Sequence, residues 1–146
     1  MRQSGRISLL ALVVIVGLVL VGFILLFGQE SLTSVGARFM TALAKGDVDT
    51  LTKMSSLGDE PEDQIRKQWV FACNTAGKHY AFLWRITSSM EQERDKIGSV
   101  QMQVTRNAMS PGGYDEGFQL PLIKKDGQWK VDVGSISRQM YPALPH

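Results

Sequence analysis

Cysteine and histidine are scarce in this chain of 146 residues, which has one cysteine, Cys73, and two histidines, His79 and His146. A single cysteine excludes an internal disulfide, so a folded domain has to be stabilised by its core alone. The three residues are also too scattered to form a zinc-binding cluster. The densest acidic group, at 59–63, is explained by a helix start, where carboxylates face the positive end of the helix dipole. We therefore predict no metal site.

The common catalytic motifs are absent as well. The chain has no glycine-rich phosphate loop, no serine nucleophile elbow and no zinc-binding helix, and we predict no cofactor. Its net charge is only +2, and Arg2 and Arg6 account for that excess. Because no basic stripe interleaved with aromatic residues is present, nucleic acid is not a predicted partner.

A long apolar run is the strongest feature that is present. Residues 7–27 are apolar apart from Ser8, Gly17 and Gly22, and none of them is charged. As a helix this run spans roughly 31 Å, which matches the hydrocarbon core of a bilayer. A cleaved signal peptide is the alternative, but its apolar core is about 7–15 residues long, and 26–28 fit its cleavage site poorly. We expect an uncleaved transmembrane helix at 7–28.

The flanking residues predict the orientation of this helix. Arg2 and Arg6 precede the run and Glu30 follows it. Because positive residues favour the cytoplasmic side, we expect residues 1–6 in the cytoplasm and a domain at 29–146 outside it. In a bacterium this places a single-pass protein in the inner membrane, with a periplasmic domain. The linker at 28–30 is too short for a stalk, so the domain should act on something held in the same membrane.

Helical periodicity marks three segments after the linker. The first begins near Ser31 and ends at Gly46, with apolar residues at 32, 35, 39 and 43. Asp47 is suited to cap a short second helix that carries apolar residues at 48, 51 and 54. A third helix begins near Pro61 and ends near Gly77, with apolar positions at 65, 69 and 72.

The apolar period then changes to two. Alternation predicts four strands, around residues 80–87, 100–105, 118–122 and 129–133. Asp126-Gly127 is a strong hairpin signal between the last two strands. Segments 90–96 and 107–117 are predicted as a charged connection and a Pro/Gly loop. Three helices before four antiparallel strands indicate an α+β fold, with the helices on the concave face of a curved sheet.

Two segments of this domain carry a resemblance to a known family. The first is the helix-and-turn pattern Val35-x-x-x-Phe39-x-x-Ala42-Leu43-x-x-Gly46-Asp47, and the second is the hairpin LPLIKKDGQWKVD at 120–132. Over about residues 31–135 the chain resembles a nuclear-transport-factor-like (cystatin-like α+β) domain, and in particular small membrane-anchored bacterial domains of unknown function. This superfamily includes isomerases, dehydratases, transport adaptors and inert scaffolds, so the fold does not imply one activity.

The resemblance implies a cone-shaped pocket between the sheet and the helices. The residues best placed to line it are Cys73, Tyr80, Phe82 and Trp84, with His79 nearby. Proton abstraction in such a pocket requires an inward-facing carboxylate poised by burial. The strand residues predicted to face inward are aromatic or aliphatic, and the carboxylates fall in loops and turns. We therefore predict no catalytic residue.

Two other segments have the composition of partner contacts. The 107–117 loop combines glycine and proline with Tyr114, Asp115 and Glu116. The C-terminal tail offers a proline-restricted strip with Tyr141 and Leu144, which either lies on a neighbour or frays. An ordinary hairpin connection is the alternative for the loop.

These features favour a non-catalytic accessory subunit. In this hypothesis the helix lies in the lipid bilayer, and the outer domain docks on an integral membrane complex, for example a photosynthetic, respiratory or secretion assembly. The first alternative is a membrane-tethered sensor that binds a small apolar ligand in the pocket. The second is an isomerase- or dehydratase-like enzyme. Association into a homo-oligomer is compatible with all three.

Overall fold

The computed structural model describes residues 13–21, 30–76, 81–94, 96–106 and 112–146. The chain divides into two units, Met1–Glu30 and Ser31–His146. In the first unit, residues 13–21 are helical and all are exposed. Among the described residues, no helix combines the length and apolarity needed to cross a bilayer. The rest of the predicted span, at 7–12 and 22–28, lies outside the described residues.

Helix α1 (Leu32–Lys45) begins and ends at the residues that the sequence predicts. The hydroxyl of Ser31 accepts a hydrogen bond from the backbone N–H of Ser34 at 3.1 Å, which caps the first turn. Gly46 ends the helix in the left-handed region, with φ 67°, where a side chain would be strained. The predicted apolar positions form one buried stripe, which includes Val35, Phe39 and Leu43.

The next two helices also confirm the sequence prediction. The Asp47 carboxylate caps α2 (Val48–Met54) by accepting hydrogen bonds from the Thr50 N–H at 3.1 Å and the Thr50 hydroxyl at 2.7 Å. These bonds favour the ionised form and lower the pKa of Asp47. Helix α3 (Glu62–Ala76) buries Ile65, Trp69 and Ala72, as its periodicity predicts.

The sheet has five strands rather than the four predicted. They are β1 (Ser55–Ser56), β2 (Phe82–Glu93), β3 (Ile97–Arg106), β4 (Tyr114–Lys125) and β5 (Gln128–Asp132). Their order is β1-β5-β4-β3-β2, and all neighbours are antiparallel except β1 and β5, which are parallel. The prediction missed β1 because two serines that directly follow a helix carry no alternating pattern.

Two predicted connections are instead partly strand. The charged segment at 90–96 was predicted as a connection, but β2 continues through it to Glu93. The predicted loop at 107–117 was also too long, since β4 begins at Tyr114. Both errors have one cause: residues 87–93 and 114–115 are exposed on both faces of the sheet, so no apolar alternation marks them as strand.

The predicted hairpin turn is confirmed. Asp126 and Gly127 join β4 to β5 with φ values of 51° and 76°. Positive φ at both central residues is the geometry of a type I′ turn, which matches the twist of paired strands.

The core lies between the helices and the inward face of the sheet. Val100, Met102 and Val104 of β3 are buried there, together with Leu120 and Leu122 of β4. Trp69 of α3 is fully buried, and its ring makes an edge contact with Phe39 of α1, with 5.9 Å between ring centroids. Its indole N–H donates to the Ser55 hydroxyl at 2.8 Å, which in turn donates to the Leu51 carbonyl at 2.6 Å.

We predict that Trp69→Phe lowers the free energy of unfolding by about 1–3 kcal/mol, because it removes the indole donor and leaves a void. Val70→Ala is the matched control, since Val70 is the next residue on the helix and 41% exposed. It should change stability by less than about 0.5 kcal/mol. Urea unfolding of the full chain in mild detergent, followed by far-ultraviolet circular dichroism, measures both. Equal stabilities for the two variants would contradict the role given to Trp69.

Candidate functional site

One end of the sheet collects most of the residues that the sequence singled out. Strand register places Phe82, Arg106 and Tyr114 side by side across β2, β3 and β4. Two residues further along, Trp84 and Glu116 flank Val104, which is fully buried and so identifies the helix-facing side. We call the group on this side the end cluster, which consists of Cys73, Phe82, Trp84, Arg106, Glu116 and Tyr141.

The apolar half of the end cluster joins a strand, a helix and the C-terminal tail. The rings of Phe82 and Tyr141 meet edge to face, with centroids 6.2 Å apart. Burial raises the pKa of the Cys73 thiol, and a hydrogen bond with Tyr141 lowers it in part. Phe82 and Trp84 are half-buried and pack against the core. The structure thus brings together three of the four predicted pocket residues, and the thiol is held in its protonated form at neutral pH.

The polar half of the end cluster is built around Arg106. Its guanidinium Nε donates to the Glu116 carboxylate at 2.5 Å, and the group lies 5.6 Å from the centre of the Phe118 ring. It also donates to the backbone carbonyl of Gln139. Arg106 is 18% exposed and Glu116 33% exposed, so water screens this pair less than a surface ion pair. Arg106 therefore ties β3 and β4 to the C-terminal tail.

Arg106 was not among the residues predicted from the sequence, although a signal was present. Positions 100, 102 and 104 were recognised as one face of a strand, and position 106 continues the same alternation. A charged residue at an inward position requires a partner, because an unpaired buried charge is costly. Glu116 lies at a corresponding inward position on the next strand.

Three predicted partner-contact residues lie on β4 rather than in a loop. Tyr114 is 52% exposed, and Asp115 faces the opposite side of the sheet, where it accepts a hydrogen bond from the Thr105 hydroxyl at 2.6 Å. Glu116 faces the helices. The expectation that all carboxylates fall in loops and turns was therefore wrong for Asp115 and Glu116, because the unmarked start of β4 was read as loop.

The other two predicted contact residues belong to the domain's own core. Tyr141 is 5% exposed and Leu144 only 2% exposed, so neither offers a surface to a neighbour. The backbone N–H of His146 donates to the Gln68 side chain at 2.7 Å, which holds the tail against α3. The prediction of a fraying or partner-bound tail was wrong because Phe82 and α3 provide it with an apolar surface. Tyr80 and His79 lie outside the described residues.

The end cluster provides few groups for chemistry. Its carboxylate is paired with an arginine, and its thiol is protonated. Within the described parts of the chain, no three His, Cys, Asp or Glu side chains are close enough together to hold a metal ion. The arrangement joins structural elements and shows no nucleophile paired with a base.

Comparisons with known proteins concern the fold. No protein-family model matches the chain, and no curated protein does. A Thiobacillus denitrificans protein, named for the association domain of calcium/calmodulin-dependent protein kinase type II, aligns with TM-score 0.51 and 7% identity. The alignment covers 70% of this chain and 90% of that one. The domain has a nuclear-transport-factor-like fold.

Two further solved structures align with the domain. One is an NTF-2-like protein of unknown function from Shewanella oneidensis, with TM-score 0.47 and 13% identity, covering 66% of this chain and 88% of that one. The other is a SEC-C motif protein from Rhodopseudomonas palustris, with TM-score 0.48 and 15% identity, covering 76% and 84%. At such identities the likeness concerns the fold alone.

We predict an interaction energy of about 1 kcal/mol between Arg106 and Glu116, measured as the coupling of Arg106→Met and Glu116→Gln in a double-mutant cycle of unfolding free energies. The ion pair of Arg66 and Asp49 is the matched control, with side chains 53% and 68% exposed. Its coupling should stay below about 0.5 kcal/mol, because solvent screens it. Equal couplings would show that the burial of the Arg106 pair contributes nothing.

We also predict that Cys73 alkylates with a pH midpoint above that of the unfolded chain, because burial raises the pKa of its thiol. Tyr141→Phe should move the midpoint further up, since it removes the hydrogen bond that lowers this pKa. Tyr114→Phe, at an exposed tyrosine, is the control and should leave the midpoint unchanged. Iodoacetamide labelling followed by mass spectrometry over pH 7–11 measures all three. A midpoint at or below the unfolded value would contradict the assignment.

Proposed function

We propose that the chain is a non-catalytic, single-pass accessory subunit of a membrane complex. Residues 7–28 form the transmembrane anchor, with residues 1–6 in the cytoplasm. The nuclear-transport-factor-like domain lies outside the cytoplasm, on the periplasmic side of a bacterial inner membrane. There it docks on an integral membrane complex and stabilises it.

The observation that carries this proposal is the short distance along the chain between the apolar run and the domain. Ser31 already caps α1, so only residues 28–30 separate the end of the run from the first helix. Three residues reach at most about 10 Å. A domain held this closely meets partners in the plane of the same membrane, and not partners at a distance from it.

The end cluster supports a non-catalytic role. Arg106 is engaged by Glu116, Phe118 and the Gln139 carbonyl, and these contacts join strands to the tail. A catalytic carboxylate of the isomerase or dehydratase kind would be poised by burial near a substrate. Glu116 is the one inward carboxylate of the end cluster, and it is paired with Arg106.

A ligand sensor is the second candidate function. The observation in its favour is that Phe82 and Trp84 are only half-buried, so aromatic surface remains accessible at the end cluster. The full burial of Trp69 favours the accessory subunit, because this large side chain occupies space between the helices and the sheet.

The tagged chain is extracted from native membranes in mild detergent and resolved on a native gel. We predict that it migrates with a large integral complex. Mass spectrometry of the band should show a fixed stoichiometry. Migration as a monomer or small homo-oligomer would contradict the accessory role and make ligand binding the next hypothesis to test.

The anchor is tested separately with Val16→Arg combined with Leu20→Arg, which places two charges at the centre of the run. Each charge costs about 2.5–3.5 kcal/mol at that depth, so the variant should move to the soluble fraction after carbonate washing. Val16→Leu combined with Leu20→Ile is the control and should stay in the membrane. Wild-type chain in the soluble fraction would contradict the anchor.

A further inference from the structure

Strand β4 has neighbours on both sides for only part of its length. Strand β3 pairs with it along residues 114–123, but β5 pairs only along residues 122–125. Pro121 has no backbone N–H, so it cannot continue the ladder with β5. After β5 the chain turns into a 3-10 helix, Val133–Ser135. Within the described chain, residues 114–121 thus have a strand on one side only, and we call their other side the open edge.

One hydrogen bond shows which backbone groups point to the open edge. The Lys124 N–H donates to the Lys96 carbonyl at 2.9 Å, towards β3. The β3–β4 register has no shift over its ten pairs, and backbone directions alternate along an antiparallel strand. The N–H and C=O groups of Asp115, Gly117 and Gln119 therefore point away from β3. Such groups form a template for a further strand.

The open edge carries one inward charge, Glu116, but it is more regular than edge strand β2. Strand β2, at one end of the sheet, has two register shifts, at Ile86/Ser88 and at Glu91/Glu93, and such bulges discourage pairing. The open edge has no register shift and no lysine, and its proline stands only at its end. It is therefore competent to pair along Asp115–Gln119.

The space beside the open edge suits a single extended segment. A groove of about 520 Å³ separates it from the C-terminal segment, whose Ser135, Ser137 and Gln139 form the facing wall. A strand requires a spacing of about 4.8 Å from its neighbour. The edge of a second copy would bring its own C-terminal segment into the same groove, so a single extended segment is the simpler occupant.

The side chains along the open edge indicate the chemistry of the occupant. Asp115 presents an exposed carboxylate, and the groove contains no Lys or Arg. A Cβ placed on Gly117 would have no atom within 4 Å, so a large side chain can lie across this residue. Gln119, the third outward residue of the open edge after Asp115 and Gly117, offers a polar amide.

We propose that the open edge binds an extended segment of a partner protein as an added antiparallel strand. The segment carries a polar residue opposite Gln119, an aromatic residue opposite Gly117 and a basic residue opposite Asp115. Main-chain hydrogen bonds supply the affinity, and these three side chains supply the selectivity. The inference goes beyond the accessory function and does not depend on the membrane anchor.

The first test is amide exchange of the full ¹⁵N-labelled chain in mild detergent, followed by nuclear magnetic resonance. The probe is the peptide acetyl-Ser-Thr-Val-Tyr-Thr-Lys-amide. Without peptide, the amides of Asp115, Gly117 and Gln119 should exchange at least about tenfold faster than those of Glu116, Phe118 and Leu120, which point to β3. The peptide should slow the three edge amides and leave the others unchanged.

Variants separate main-chain from side-chain contributions. Gln119→Pro removes one edge donor and should weaken peptide binding about three- to tenfold, whereas the matched control Gln119→Ala keeps that donor and should bind nearly as wild type. The same peptide with an N-methyl tyrosine should bind the wild-type chain more weakly. Because only the peptide is changed, this comparison does not depend on whether a variant of the protein folds. Asp115→Lys should weaken the binding of this peptide and strengthen the binding of a version with glutamate in place of lysine.

Three results would overturn the proposal. The first is edge amides that are already protected from exchange in the chain without peptide. Protection that does not depend on protein concentration would mean an internal partner, and protection that increases with protein concentration would mean a second copy. The second is equal binding of the N-methyl and parent peptides. The third is peptide protection that falls elsewhere on the domain.

Discussion

The indole of Trp69 connects the three helices of this domain to its sheet. Its ring meets Phe39 of α1, and its N–H reaches the Ser55 hydroxyl, which in turn bonds the last turn of α2 through the Leu51 carbonyl. Ser55 also begins β1 and pairs with Val131 of β5. One side chain and its hydrogen-bond partner thereby connect all three helices to the β1–β5 side of the sheet.

The end cluster shows how polar residues are used at the margin of a small core. Arg106 and Glu116 face the helices where apolar cover is incomplete, and each compensates the charge of the other. The tail closes over them through Gln139 and buries Tyr141 against Phe82. These residues hold the end of the sheet together.

Edge strand β2 and the open edge of β4 differ in regularity. Strand β2 is irregular, with two register shifts. Strand β4 is regular, and within the described chain residues 114–121, which are eight of its twelve residues, lack a second neighbouring strand. Pro121 has no backbone N–H to donate to β5. The backbone groups of the preceding residues are thus left exposed to the groove. The pairing pattern of β3 and β4 directs the backbone groups of three successive outward residues, Asp115, Gly117 and Gln119, towards this edge.

Local signals in the sequence determined the helices, the hairpin and most of the inward face. The caps at Ser31 and Asp47, the stop at Gly46 and the Asp126-Gly127 turn each act within four residues, so they could be read without a structure. The apolar period likewise identified Trp69 and the buried positions of β3. Of the candidate site, Cys73, Phe82 and Trp84 were predicted from the pocket that the family resemblance implies.

Tertiary structure alone decided the remainder, because the contacts concerned join residues far apart in sequence. The pairing of Ser55 with Val131 creates a fifth strand from two serines that have no strand pattern of their own. The tail is buried because His146 meets Gln68 and Tyr141 meets Phe82. The inward Arg106 and Glu116 acquire their roles only from strand register, and the open edge exists only because β5 leaves β4 at Pro121. Periodicity reports which side of an element is buried, but it carries no information on which distant residue covers it.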